Sequence, residues 1–191
     1  MATRYRDWEM GLTVRKFRRA IWLVMAAMTM FFLALTLAYI KRHGLTIYWL
    51  SPELAAILTA NTCLLLASSV ALWRARQFLA AKLMRGTLRW IGSALGLGVL
   101  FLLGQALAWR YLFVSGVYIG THPNSGFFYV VTAAHAVHIV IALVLLAWVF
   151  SRAWRGRLQA DRPLLMDLTS IIWHCLDVTW VYLFLILMLY R

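Results

Sequence analysis

The side chains best placed for chemistry are two pairs, His135 with His138 and His174 with Asp177, each three residues apart. Residues at that spacing share one face of a helix. Further polar groups set deep in the long apolar runs include Asn61, Ser68, Ser69 and Gln105. Such groups are costly in lipid and usually face the protein interior, so together they mark a place where helices meet. Three kinds of chemistry fit that place. Histidines can hold a haem b between helices, Asp and His can relay protons across a bilayer, and the same groups can lock helices by interhelical hydrogen bonds. A two-histidine face on one helix suits haem poorly, because its ligands come from separate helices. A metal needs more than two ligands, and the apolar stretch around His135 supplies no carboxylate. No nucleophile elbow, phosphate loop or zinc-hydrolase motif occurs in the chain.

The elements that must position these residues follow from hydropathy. Of 191 residues 64% are apolar, against roughly 45–50% in soluble domains. The nineteen Lys/Arg and six Asp/Glu give a formal charge of +13, but the basic residues lie between apolar runs. That is the pattern of membrane-protein loops, and it argues against nucleic acid as a partner. A helix of about 20 apolar residues crosses a hydrocarbon core of about 30 Å. Segments 20–40, 54–73, 90–109, 127–150 and 168–190 qualify, so the expected fold is an all-α membrane protein of five transmembrane helices. Pro52, Pro123 and Pro163 each stand a few residues before a helix, where a missing N–H is tolerated.

Orientation follows from the basic residues, because cytoplasmic loops retain them. Residues 1–19, 74–89 and 151–163 hold fifteen Lys/Arg, and the alternate side holds four, Lys41, Arg42, Arg110 and Arg191. The N-terminus is thus expected in the cytoplasm and the C-terminus in the periplasm. Trp49, Trp73, Trp90, Trp109, Trp148 and Tyr190 fall where interfacial aromatic belts belong. Residues 1–19 read as a basic amphipathic arm on the cytoplasmic interface, with Arg15, Lys16, Arg18 and Arg19 toward anionic lipid, and 20–191 as the transmembrane domain. Nineteen polar-rich residues precede the first apolar run, so no cleaved secretory signal is expected. Cys63 and Cys175 lie in separate apolar runs and read as small hydrophobes, without a disulfide. Gly92, Gly96, Gly98 and Gly104 give the third helix small-xxx-small spacing for close packing. At about 1.5 Å per residue, His138 lies roughly 17 Å and Asp177 roughly 14 Å into the bilayer. If the fourth and fifth helices are neighbours, the two can satisfy each other near the midplane.

Several motifs resemble subunit III of the haem-copper oxidases, the cytochrome c oxidase subunit III family. They are Asn61-Thr62-Cys63-Leu64-Leu65-Leu66-Ala67-Ser68-Ser69, Leu103-Gly104-Gln105, Gly126-Phe127-Phe128-Tyr129 followed by Thr132, His135 and His138, and Trp173-His174-Cys175-Leu176-Asp177-Val178-Thr179-Trp180. The last is similar to the family's Trp-His-Phe-Val-Asp-x-x-Trp. The resemblance covers nearly the whole chain and implies the five-helix form of a family in which many members have seven. It implies a non-catalytic subunit of a bacterial terminal oxidase in the inner membrane, with no haem or copper of its own. Haem and copper would reside in partner subunits, phospholipid would be bound, and the partners would be subunit I, subunit II and a small subunit IV. The same form occurs in quinol oxidases and in a nitric oxide reductase accessory protein. The resemblance also turns the polar set into a structural network of Asn61, Gln105, His135, His138, Trp173, His174, Asp177 and Trp180. Two glutamates that the family often carries are replaced here by Met28 and Ala108. A role in proton uptake that rests on those carboxylates does not carry over.

Overall fold

The structure, a computed structural model, describes residues 2–43, 51–120, 123–158 and 164–189. Of residues 2–18 only the helical backbone is described, so the expected lipid contacts of Arg15, Lys16 and Arg18 lie outside the described side chains. Five helices follow one another: α1 Ala2–His43, α2 Pro52–Ala80, α3 Met84–Val114, α4 Pro123–Trp154 and α5 Leu164–Leu189. Each contains a stretch long and apolar enough to cross a membrane.

The helices run further than hydropathy alone marks out. The 74–89 segment, expected as a loop, is almost entirely helix, with α2 and α3 separated only by residues 81–83. The physical reason is that apolar length measures the thickness of lipid, whereas a helix continues until its backbone is capped or broken. Three of the ends use one device. The N–H of Leu83 bonds the carbonyl of Phe78 at 2.9 Å and that of Lys82 bonds Leu79 at 2.9 Å, with Lys82 in the left-handed region at φ 59°. Val117 to Leu112 and Arg157 to Arg152 repeat the pattern, around Gly116 at φ 76° and Gly156 at φ 65°. These are Schellman turns, which satisfy the last carbonyls of a helix and favour glycine at the left-handed residue. At the start of α2, Ser51 is extended, its hydroxyl accepts from the Leu54 N–H, and Pro52 opens the helix.

Contacts run α2 to α3, α3 to α4, α4 to α5 and α5 back to α2, which closes a ring of four helices. Helix α1 packs outside the ring, against α4 and α5. It does so through Met25, Met28, Phe32 and Thr36, all buried on one helical stripe. The polarity is the inverse of a soluble domain. Leu107, Val144 and Leu185 are exposed, while Ser68, Gln105, His135 and Asp177 are buried. An apolar exterior of this extent fits lipid as the surrounding solvent. Since lipid is as apolar as the core, close packing and interhelical hydrogen bonds hold such a bundle together.

Candidate functional site

The polar groups converge on the line where α2 meets α5. The indole N–H of Trp180 donates to Thr62 Oγ1 at 3.0 Å, and that of Trp173 donates to Ser68 Oγ at 2.9 Å. Each hydroxyl passes its own proton back along α2, Thr62 to the Leu58 carbonyl at 2.8 Å and Ser68 to Leu65 at 2.6 Å. The same chain of indole, hydroxyl and helix carbonyl joins α3 to α4, where Trp109 donates to Thr132 at 3.0 Å and Thr132 to Phe128 at 2.7 Å. A buried indole N–H thus finds an acceptor without breaking any helical hydrogen bond.

Between the two tryptophans of α5 sits a three-membered cluster. Ser69 Oγ donates to Asp177 Oδ2 and lies 2.7 Å from His174 Nδ1. A hydroxyl has one proton; with that proton on Asp177, His174 must donate to Ser69 from Nδ1. The order of donation is therefore His174, Ser69, Asp177. About two turns further along α2, Arg76 pairs with Asp167 of α5 at 2.6 Å. Both are well exposed, so the pair contributes only about 0–1 kcal/mol.

Close approach of α3 completes the seam. A Cβ at Gly98 would lie 2.8 Å from the far edge of the Trp173 ring and 2.9 Å from Leu143, and one at Gly104 would overlap the Asn61 amide. Gly96, by contrast, faces open space and Gly92 has only ordinary contact with Phe150. The close-packing role expected for all four glycines belongs to Gly98 and Gly104.

Six of the eight expected network residues lie in or against this seam: Trp173, His174, Asp177 and Trp180 in it, Asn61 beside Thr62, and His135 with its ring 5.1 Å from that of Trp180. Gln105 is buried on α3 in the position after Gly104. His138 is elsewhere. Its Nδ1 bonds the Ala134 carbonyl of its own helix at 2.7 Å and its ring packs on Phe32 of α1 at 5.7 Å. The expected His138–Asp177 pair is therefore not formed, because Asp177 turns toward α2 while His138 turns toward α1. Thr62, Thr132 and the Arg76–Asp167 pair were not legible as partners. A partial signal was present: Trp173 and Trp180 are seven residues apart and their acceptors Ser68 and Thr62 six, close to the period of two packed helices.

Trp173 and Ser68 are fully enclosed and Asp177 nearly so, while Ser69 and His174 are partly exposed. His135 is walled by Phe32, Phe101 and Trp180. Among the described residues no three His, Cys, Asp or Glu side chains converge as a metal site would require. The arrangement joins α2 to α5 and α3 to α4 by side-chain hydrogen bonds.

A family model described as cytochrome c oxidase subunit III matches residues 9–191. Cytochrome c oxidase subunit 3 of Synechocystis is 26% identical over 172 residues, which cover 87% of this chain and 72% of that protein. The subunit 3 of Thermostichus vulcanus is 30% identical over 155 residues, 78% of this chain and 75% of its own length. A probable subunit 3 from Mycobacterium leprae is 26% identical over 106 residues, 56% of this chain and 52% of that protein.

Proposed function

We propose, from the premise that this chain belongs to the cytochrome c oxidase subunit III family, that it is a non-catalytic wall of a bacterial terminal oxidase. It packs against the haem-copper subunit I, beside subunit II and a small subunit IV, and keeps the catalytic subunit active over many turnovers. The haem and copper belong to the partner subunits. The chain lies in the inner membrane, with its N-terminus and the basic turns at 81–83 and 155–158 in the cytoplasm, and phospholipid fills part of its apolar surface.

The observation that carries this reading is the α2–α5 seam. Its tryptophans and its Ser69–His174–Asp177 cluster bond across helices, an arrangement that supports rigidity. Positions 28 and 108, where the family often has glutamate, hold the buried apolar Met28 and Ala108. Any support for proton uptake therefore comes through the shape given to subunit I rather than through those carboxyls.

Affinity-tagged chain purified in mild detergent is expected to bring down a haem-copper subunit as its largest partner. Recovery with the large subunit of a nitric oxide reductase, or recovery alone with stoichiometric haem, would overturn the proposal. The Asp177→Ala variant tests the mechanism. It removes one interhelical hydrogen bond, worth about 0.6–1.7 kcal/mol in lipid, so the first turnovers should match the unaltered complex while activity decays severalfold sooner. Loss of the first turnovers from a fully assembled complex would contradict a structural role.

A further inference from the structure

Asn61, Gln105 and His135 come from three different helices and are at most 2% exposed. Counted from the middle of each helix, all three lie about 4–6 residues toward the same end of the bundle, or roughly 6–9 Å from its centre. Their side contacts agree. Asn61 lies against Gly104, next to Gln105. Gln105 stands one turn from Phe101 and one turn from Trp109 on the same stripe of α3. Across the α3–α4 interface, Phe101 meets the His135 ring at 6.1 Å, and Trp109 bonds Thr132, one turn from His135. Gln105 and His135 therefore lie at one level, on stripes of α3 and α4 that the Phe101–His135 ring contact and the Trp109–Thr132 bond join.

The hydrogen-bonding capacity at this level is unused. Asn61 Nδ2, Gln105 Nε2 and Oε1, and both ring nitrogens of His135 have no partner among the described residues. Buried groups of this kind are nearly always satisfied. The inventory selects what satisfies them. The two amide nitrogens bring N–H donors, Gln105 Oε1 is an acceptor, and a neutral imidazole offers one of each. A cation would face the donors and an anion the acceptors in a low-dielectric interior. A small neutral molecule that both donates and accepts meets the whole set.

We propose that Asn61, Gln105 and His135 form one polar chamber between α2, α3 and α4 that holds a cluster of bound water. The water bridges the three side chains as buried waters typically do, with about three hydrogen bonds each. It makes the chamber a second interhelical lock, beside the α2–α5 seam and present whichever complex houses the chain.

Two measurements on the intact purified complex test this. In a cryo-electron-microscopy map that resolves solvent, density for water is expected between the Gln105 amide, the His135 ring and the Asn61 amide. Direct contact of those groups with no solvent peak between them would overturn the proposal. The second is a double-mutant cycle read as the thermal midpoint of subunit release. Gln105→Leu and His135→Phe should each lower the midpoint, and the pair should lower it by clearly less than the sum, because the first replacement already disrupts the shared water. Additive losses, unchanged midpoints or a gain from either replacement would count against it. Should a variant fail to assemble, the map of the unaltered complex still decides.

Discussion

Replacing Trp173 by alanine is expected to cost more than any other single substitution in the seam, about 3–5 kcal/mol on the scale of buried tryptophan truncations. The side chain is fully enclosed, with its far ring edge against Gly98 of α3 and its N–H on Ser68 of α2. Alanine would therefore open a cavity where three helices meet and leave the Ser68 hydroxyl without its donor. A loss of that size is a large share of the stability of a typical fold, about 5–15 kcal/mol, so the yield of monodisperse chain after extraction from the membrane should fall sharply. The Trp173→Phe variant separates the two contributions. It keeps most of the ring volume and loses the hydrogen bond, so its cost should be nearer 1 kcal/mol. Stability of both can be read by denaturant titration in micelles. An alanine variant as stable as the phenylalanine one would show that Trp173 does not sit between the three helices.

The second large effect is expected at Gly98. Leucine there would place its Cβ within 3 Å of Trp173 and Leu143, both held inside the core. Neither can swing aside, so α3 must move away from α4 and α5. Overpacking of this kind costs about 1–3 kcal/mol, and the displacement should weaken assembly with the rest of the oxidase. Gly96→Ala is the matched control. Position 96 faces open space, and alanine favours a helix over glycine by about 1 kcal/mol, so that variant should be neutral or slightly more stable. Equal losses at positions 96 and 98, measured as yield of assembled complex, would argue against the close approach of α3 to Trp173.

The glycines show how far the sequence reaches. Their spacing announces that α3 packs closely against something, yet Gly92, Gly96, Gly98 and Gly104 look alike until the neighbours are in place. The histidines show the same limit. A spacing of three residues puts His135 and His138 on one side of α4 and both touch Phe32 of α1, but only His135 reaches Phe101 of α3 and Trp180 of α5.

By itself the sequence determined that five helices are long and apolar enough to cross a membrane, and which polar residues must face inward. Those properties are local: hydropathy and helical period depend on residues a few positions apart. Family membership was legible too, because its motifs are short and lie one to a helix. Only the tertiary structure decided which inward faces touch. Asp177 meets Ser69 of α2 rather than His138 of α4 because α5 closes the ring against α2, 108 residues away in the chain. No periodicity within either helix records which helix will be beside it.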